Sequence, residues 1–104
     1  MLNIRTLEKM PYANAKVYVE DNGNIALISY RTTVAVIDNE GWLTVNGTYS
    51  ATTRKHLSAF MHEYGNGYGY YDAKSAYLND YTLNLNTGEK MLLAIPIDDE
   101  NEIW

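Results

Sequence analysis

One hundred and four residues leave room for one hydrophobic core, so a single domain over residues 1–104 is expected, and 46% hydrophobic against 20% charged residues excludes a disordered chain. With no cysteine, a disulfide framework and a thiolate metal site are both excluded. The net charge of −5 and pI near 4.8 speak against a protein whose main work is coating nucleic-acid phosphates, and the only dense acidic patch is Asp98, Asp99, Glu100 and Glu102 near the C-terminus.

Residues 1–9 contain no apolar run of signal-peptide length, and no window approaches the roughly 18 apolar residues of a membrane span, so a cytoplasmic location is expected. From Ala15 to Val45, short β-branched or aromatic runs alternate with turn residues at hairpin spacing, which predicts an antiparallel meander. Lys16–Glu20 meets Asp21-Asn22-Gly23-Asn24, where Asn-Gly suits a turn with two positive-φ residues. Ile25–Tyr30, Thr33–Ile37 and Trp42–Val45 follow, connected near Arg31-Thr32 and at Asp38-Asn39-Glu40-Gly41.

The period changes after Tyr49. Leu57, Phe60, Met61 and Tyr64 stand at i, i+3, i+4 and i+7, the stripe of an amphipathic helix of about three turns. Ser50, Thr52 or Thr53 is placed to cap its start, and Gly65 stands where a left-handed residue ends many helices. Three glycines in Gly65–Tyr70 predict a mobile loop. Asp72 is then placed to cap a short second helix through Leu78, and Tyr81, Leu83 and Leu85 alternate as a strand. A turn at Asn86–Glu89 leads to a partner strand, Lys90–Ile95, apolar enough to suggest a central position, with Pro96 ending it. The expected class is α+β: a β-meander, one amphipathic helix, a short second helix and a C-terminal hairpin.

Catalytic chemistry finds no footing in these residues. His56 and His62 are six apart, roughly 120° around a helix, so they do not form an i, i+4 zinc pair and read as surface histidines. Asp38 and Glu40 share a solvated turn. The glycines of Gly65–Gly69 follow a helix and lack the Lys-Ser or Lys-Thr of a phosphate-binding loop. No catalytic residue, metal ligand or cofactor is expected.

Two features point to binding. Thr52, Thr53, Arg54, Lys55 and His56 place hydroxyls and cations at a helix start, where a phosphate could sit, or where the hydroxyls merely cap and the cations point to solvent. The second feature is ten tyrosines, with Tyr64, Tyr68, Tyr70, Tyr71, Tyr77 and Tyr81 close together. Such rings serve protein interfaces or base stacking, although core packing should absorb half of them. Tyr68, Tyr70 and Tyr71 with the carboxylates Asp72, Asp80, Asp98, Asp99 and Glu100 are the expected protein-binding set.

The segment Tyr49-Ser50-Ala51-Thr52-Thr53-Arg54-Lys55-His56, preceded by Trp42-Leu43-Thr44-Val45-Asn46-Gly47 and followed by Phe60, resembles a pattern in small uncharacterised proteins of bacteriophages and mobile elements. The resemblance spans roughly residues 30–64. It implies a bacterial host cytoplasm and a setting in which small acidic domains include inhibitors of host defence, such as anti-CRISPR proteins. The resulting expectation is a non-enzymatic inhibitor that occludes the basic nucleic-acid groove of a host defence protein, for example a CRISPR effector. The alternative is a nucleic-acid-binding accessory protein using the Arg54-Lys55-His56 helix start, and an exposed strand edge could make either a homodimer.

Overall fold

The computed structural model describes residues 2–48 and 50–93. Seven strands, β1 (Asn3–Thr6), β2 (Ala15–Val19), β3 (Ile25–Ser29), β4 (Thr32–Ile37), β5 (Trp42–Val45), β6 (Tyr81–Asn84) and β7 (Lys90–Leu92), pair in chain order into one antiparallel sheet. Two helices, α1 (Ala51–Tyr64) and α2 (Tyr70–Leu78), lie between β5 and β6 in the chain. The fold is α+β as expected, and the C-terminal hairpin extends the meander's own sheet because β6 pairs with β5 through Trp42↔Asn84 and Leu43↔Leu83. The strand β1 was not foreseen: its exposed polar and apolar residues carry no alternation, and its pairing with β2 supplies the order instead.

Alternation places Val17, Leu27, Ala35, Ile37, Leu43, Val45 and Leu83 on one sheet face, where they meet Leu57, Phe60, Met61 and Ala73 in a single buried cluster. Helix α1 packs on β3 and β4, and α2 on β5 and β6. Phe60 is fully buried at the centre of this layer, and burial of a side chain of that size contributes roughly 1.5–3 kcal/mol.

The Asn22-Gly23 connection is not the expected pair of left-handed residues. Only Gly23 has positive φ (96°), the Gly23 N–H bonds the Glu20 carbonyl, and the Glu20 N–H bonds the Asn24 carbonyl, a three-residue loop ending in a left-handed glycine. Asp38–Trp42 repeats it with Gly41 at φ 94°, fastened further by Asp38 Oδ1, which accepts the N–H groups of Glu40 and Trp42.

Ser50 caps α1, its Oγ accepting the Thr53 N–H at 3.1 Å. At 14 residues the helix is about one turn longer than its apolar stripe foretold, because Thr53 and His56 continue that stripe backwards. Gly65 is right-handed (φ −77°), and the reversal falls instead on Asn66 (φ 53°) and Gly67 (φ 94°). Gly65 is required for space: a Cβ there would run into the Met61 and Tyr68 carbonyl oxygens.

The loop expected to be mobile is tied at both ends. Asn66 Nδ2 donates to the Leu85 carbonyl at 2.7 Å, and the Gly69 N–H donates to Asp72 Oδ2 at 2.9 Å. That second bond also corrects the start of α2, which is Tyr70 with Gly69 as N-cap, so Asp72 satisfies the helix from its third position. The Lys90 strand is likewise an exposed edge rather than a central element. Continuous apolarity there meets no second layer among the described residues, and Ala94, Ile95 and Pro96 lie outside them.

Candidate functional site

Helix α1 presents a buried face to the sheet and an exposed face away from it. Its inner stripe fills the core, while Ala51, Arg54, Lys55, Ser58 and His62 recur at i, i+3, i+4, i+7 and i+11 on the outer side, all exposed. Three adjoining hollows open along this outer stripe and all share Ser58. One is closed by Lys9 and Met10 of the β1–β2 connection together with Lys55 and His62. A second runs from Met61 and His62 to Gly67, Tyr68, Gly69 and Tyr70. The third lies between the helices, lined by Arg54 and Lys55 of α1 and by Tyr70, Tyr71 and Lys74 of α2.

Charge on this surface is of one sign. Lys9, Arg54, Lys55 and Lys74 are half of the eight cations in the chain, and no carboxylate lines any of the three hollows. Tyr71 is 80% exposed, and its ring meets Tyr70 edge-on with centroids 5.4 Å apart. The Tyr70 hydroxyl is buried without a hydrogen-bond partner among the described residues, and Tyr70 as a residue lines two of the hollows.

The two residue sets that the sequence kept apart are therefore partly merged. Arg54 and Lys55 of the anion set share a hollow with Tyr70 and Tyr71 of the protein-binding set. The remaining members separate. Thr52 is exposed, but Thr53 and His56 are buried, so the helix start does not present all five residues together. Tyr68 is half-buried with its hydroxyl over Gly88. Asp72 is exposed and occupied with capping, and Asp80 sits at φ 54° in the turn into β6, its carbonyl accepting the Leu93 N–H. Asp98, Asp99 and Glu100 lie outside the described residues. Sequence reasoning missed Lys9, Ser58, His62 and Lys74 as lining residues, although the polar stripe complementary to Leu57, Phe60 and Tyr64 was available to find two of them, Ser58 and His62, beside Lys55.

His56 is not a surface histidine. It is 1% exposed, its Nδ1 lies 2.8 Å from the Oγ of Ser29, itself 3% exposed, and the Tyr30 ring stands 6.1 Å away. Burial lowers its pKa below the ordinary value of 6.5. The pair has the elements of a nucleophile and a base, yet none of the three hollows reaches either residue. It holds α1 to β3 instead. Among the described residues no group of three His, Asp or Glu side chains converges as a metal would require, and no helix is long and apolar enough to cross a membrane.

These features define a small α+β protein with a cation- and tyrosine-lined surface on its helical layer. The chain belongs to DUF8033, a family of unknown function, whose model matches residues 3–75. That span contains every residue lining the three hollows, whereas β6 and β7 fall beyond it. No curated protein and no solved structure matches the chain.

Proposed function

We propose that this protein is a non-enzymatic binder of single-stranded nucleic acid that uses the outer face of α1 and the start of α2. The observation that carries it is the third hollow, in which Arg54, Lys55 and Lys74 converge with Tyr70 and the exposed ring of Tyr71. Cations hold phosphates and set position, while an exposed ring offers a face to any base. The overall acidity is no obstacle at this surface. Nine of the thirteen carboxylates fall among the described residues against all eight cations, so those residues together are close to neutral, and the other four carboxylates fall within residues 98–102 of the sequence.

The test is binding of labelled single-stranded DNA and RNA at low salt, with the Arg54→Ala, Lys55→Ala double variant beside the parent chain. Binding that weakens in the variant supports the assignment, and no binding of either probe at low salt removes it.

We also propose, as the second reading, an inhibitor of a host defence protein acting through the acidic segment 98–102, supported by that same separation of charge: four carboxylates and no cation between residue 98 and the C-terminus. Retention of such a protein from nuclease-treated host lysate, lost when those carboxylates are changed to amides, would favour it over nucleic acid.

A further inference from the structure

The central row of the sheet face turned away from the helices is largely apolar. In an antiparallel sheet with one covered face, the outward positions of each strand are ordinarily polar. Here β3 reads Ile-Ala-Leu-Ile-Ser and β4 reads Thr-Thr-Val-Ala-Val-Ile, nearly continuous runs of the kind found in strands buried on both sides. The register aligns Ile4, Tyr18, Ala26, Val36 and Thr44 across the first five strands on the outward side, with Thr82 paired to Met91 at the far edge. Ile28 and Trp42 flank this row, and Ile4 and Met91 are each 58% exposed at its two ends. Both helices pack on the opposite face, and no described element covers this one.

We infer that this face is a dimer interface that takes a second copy of the same chain, sheet against sheet. Charge favours a copy of itself over a charged partner. The row carries no charge, Lys16 lies on one side of it, and Glu20 and Asp38 lie on the other. A two-fold axis along the row sets the Lys16 side of one copy over the acidic side of the other, an isologous contact without like-charge opposition. The size suits a weak, concentration-dependent dimer. Seven strands about 4.8 Å apart and about four residues long, each turning about two side chains outward, give a footprint of about 450 Å² per copy and about 900 Å² in total, at the low end for a specific interface. Such packing, about 10 Å between sheets, buries Val36 and Trp42 and leaves the two helical layers facing outward in opposite directions.

The experiment is sedimentation equilibrium of the full chain from about 1 µM to about 100 µM, a range suited to a small interface. The parent chain is expected as a dimer of the 11.8 kDa protomer at the upper end. Val36→Asp, at the centre of the face, and Ile4→Lys, at its edge, are each expected to weaken the dimer, Val36→Asp by at least about tenfold in Kd, with unchanged far-ultraviolet circular dichroism. Ile4→Lys keeps the test open should Val36→Asp fail to fold. A parent chain that is monomeric throughout overturns the proposal, whether the face is covered by residues 94–104 or reserved for another partner. A dimer whose Kd neither substitution changes, as pairing through the edge of β7 would give, overturns it equally.

Discussion

Ser29 Oγ and His56 Nδ1 stand 2.8 Å apart inside the protein and join the third strand to the first helix, the one side-chain hydrogen bond between two buried residues that crosses the two layers among the described residues. Because burial lowers the His56 pKa, the neutral ring is the form the fold holds. The unfolded chain therefore takes up the proton first as pH falls. The contribution to stability is complete above the unfolded value near 6.5 and is lost progressively below it, down to the folded pKa. Urea unfolding at pH 7.5 and pH 5.5 should show a loss of stability that His56→Gln reduces, whereas Ser29→Ala should cost about 1–3 kcal/mol at the higher pH by leaving the ring nitrogen unpaired. Equal pH dependence in the parent chain and His56→Gln would contradict this account.

Gly65 is held by space rather than by handedness, so its replacement should fail even though its φ is ordinary for any residue. Gly65→Ala is expected to lower stability by about 1–3 kcal/mol, since the obstructing atoms are backbone carbonyls that cannot swing aside. Gly67→Ala faces no contact and should cost less, about 1 kcal/mol, through its positive φ alone. Thermal unfolding of the two variants gives the order.

The carboxylate of Asp72 distinguishes capping from partner binding. As a cap it accepts the Gly69 N–H, so Asp72→Ala should destabilise the start of α2 by about 1 kcal/mol or less and leave nucleic-acid affinity unchanged or slightly raised. A loss of affinity without a loss of stability would make Asp72 a binding residue.

Much of the fold was legible because its signals are local. The four meander strands, the helix stripe of Leu57, Phe60, Met61 and Tyr64, and the Ser50 cap depend on residues near one another in sequence. What was not legible depends on distant partners. The strand β1 is ordered by β2, the 65–69 loop by the Leu85 carbonyl, and β7 takes the edge because it pairs with β6 alone among the described strands. The site followed the same division. Arg54 and Lys55 were visible as a cluster, but Lys9 and Lys74 come from other elements, and His56 was assigned to the surface although it continues the apolar stripe one turn before Phe60.

Tyr71 is 80% exposed, so its ring adds little to folding. Tyr71→Ala should leave the unfolding midpoint within experimental scatter while weakening single-stranded nucleic-acid binding by about 1–3 kcal/mol, the usual worth of one stacked base. Phe in its place should restore most of the affinity, because stacking needs the ring and not the hydroxyl. A parallel fall in stability and affinity would indicate a structural role instead.

The most direct measurement is fluorescence anisotropy of a labelled single-stranded oligonucleotide titrated with the full chain across a series of salt concentrations. With Arg54, Lys55 and Lys74 on phosphates, log K should fall against log salt with a slope of about −2, and the Arg54→Ala, Lys55→Ala double variant should flatten it by more than half. Absence of binding at the lowest salt, or binding whose salt slope the double variant leaves unchanged, would contradict a nucleic-acid surface on the helical layer.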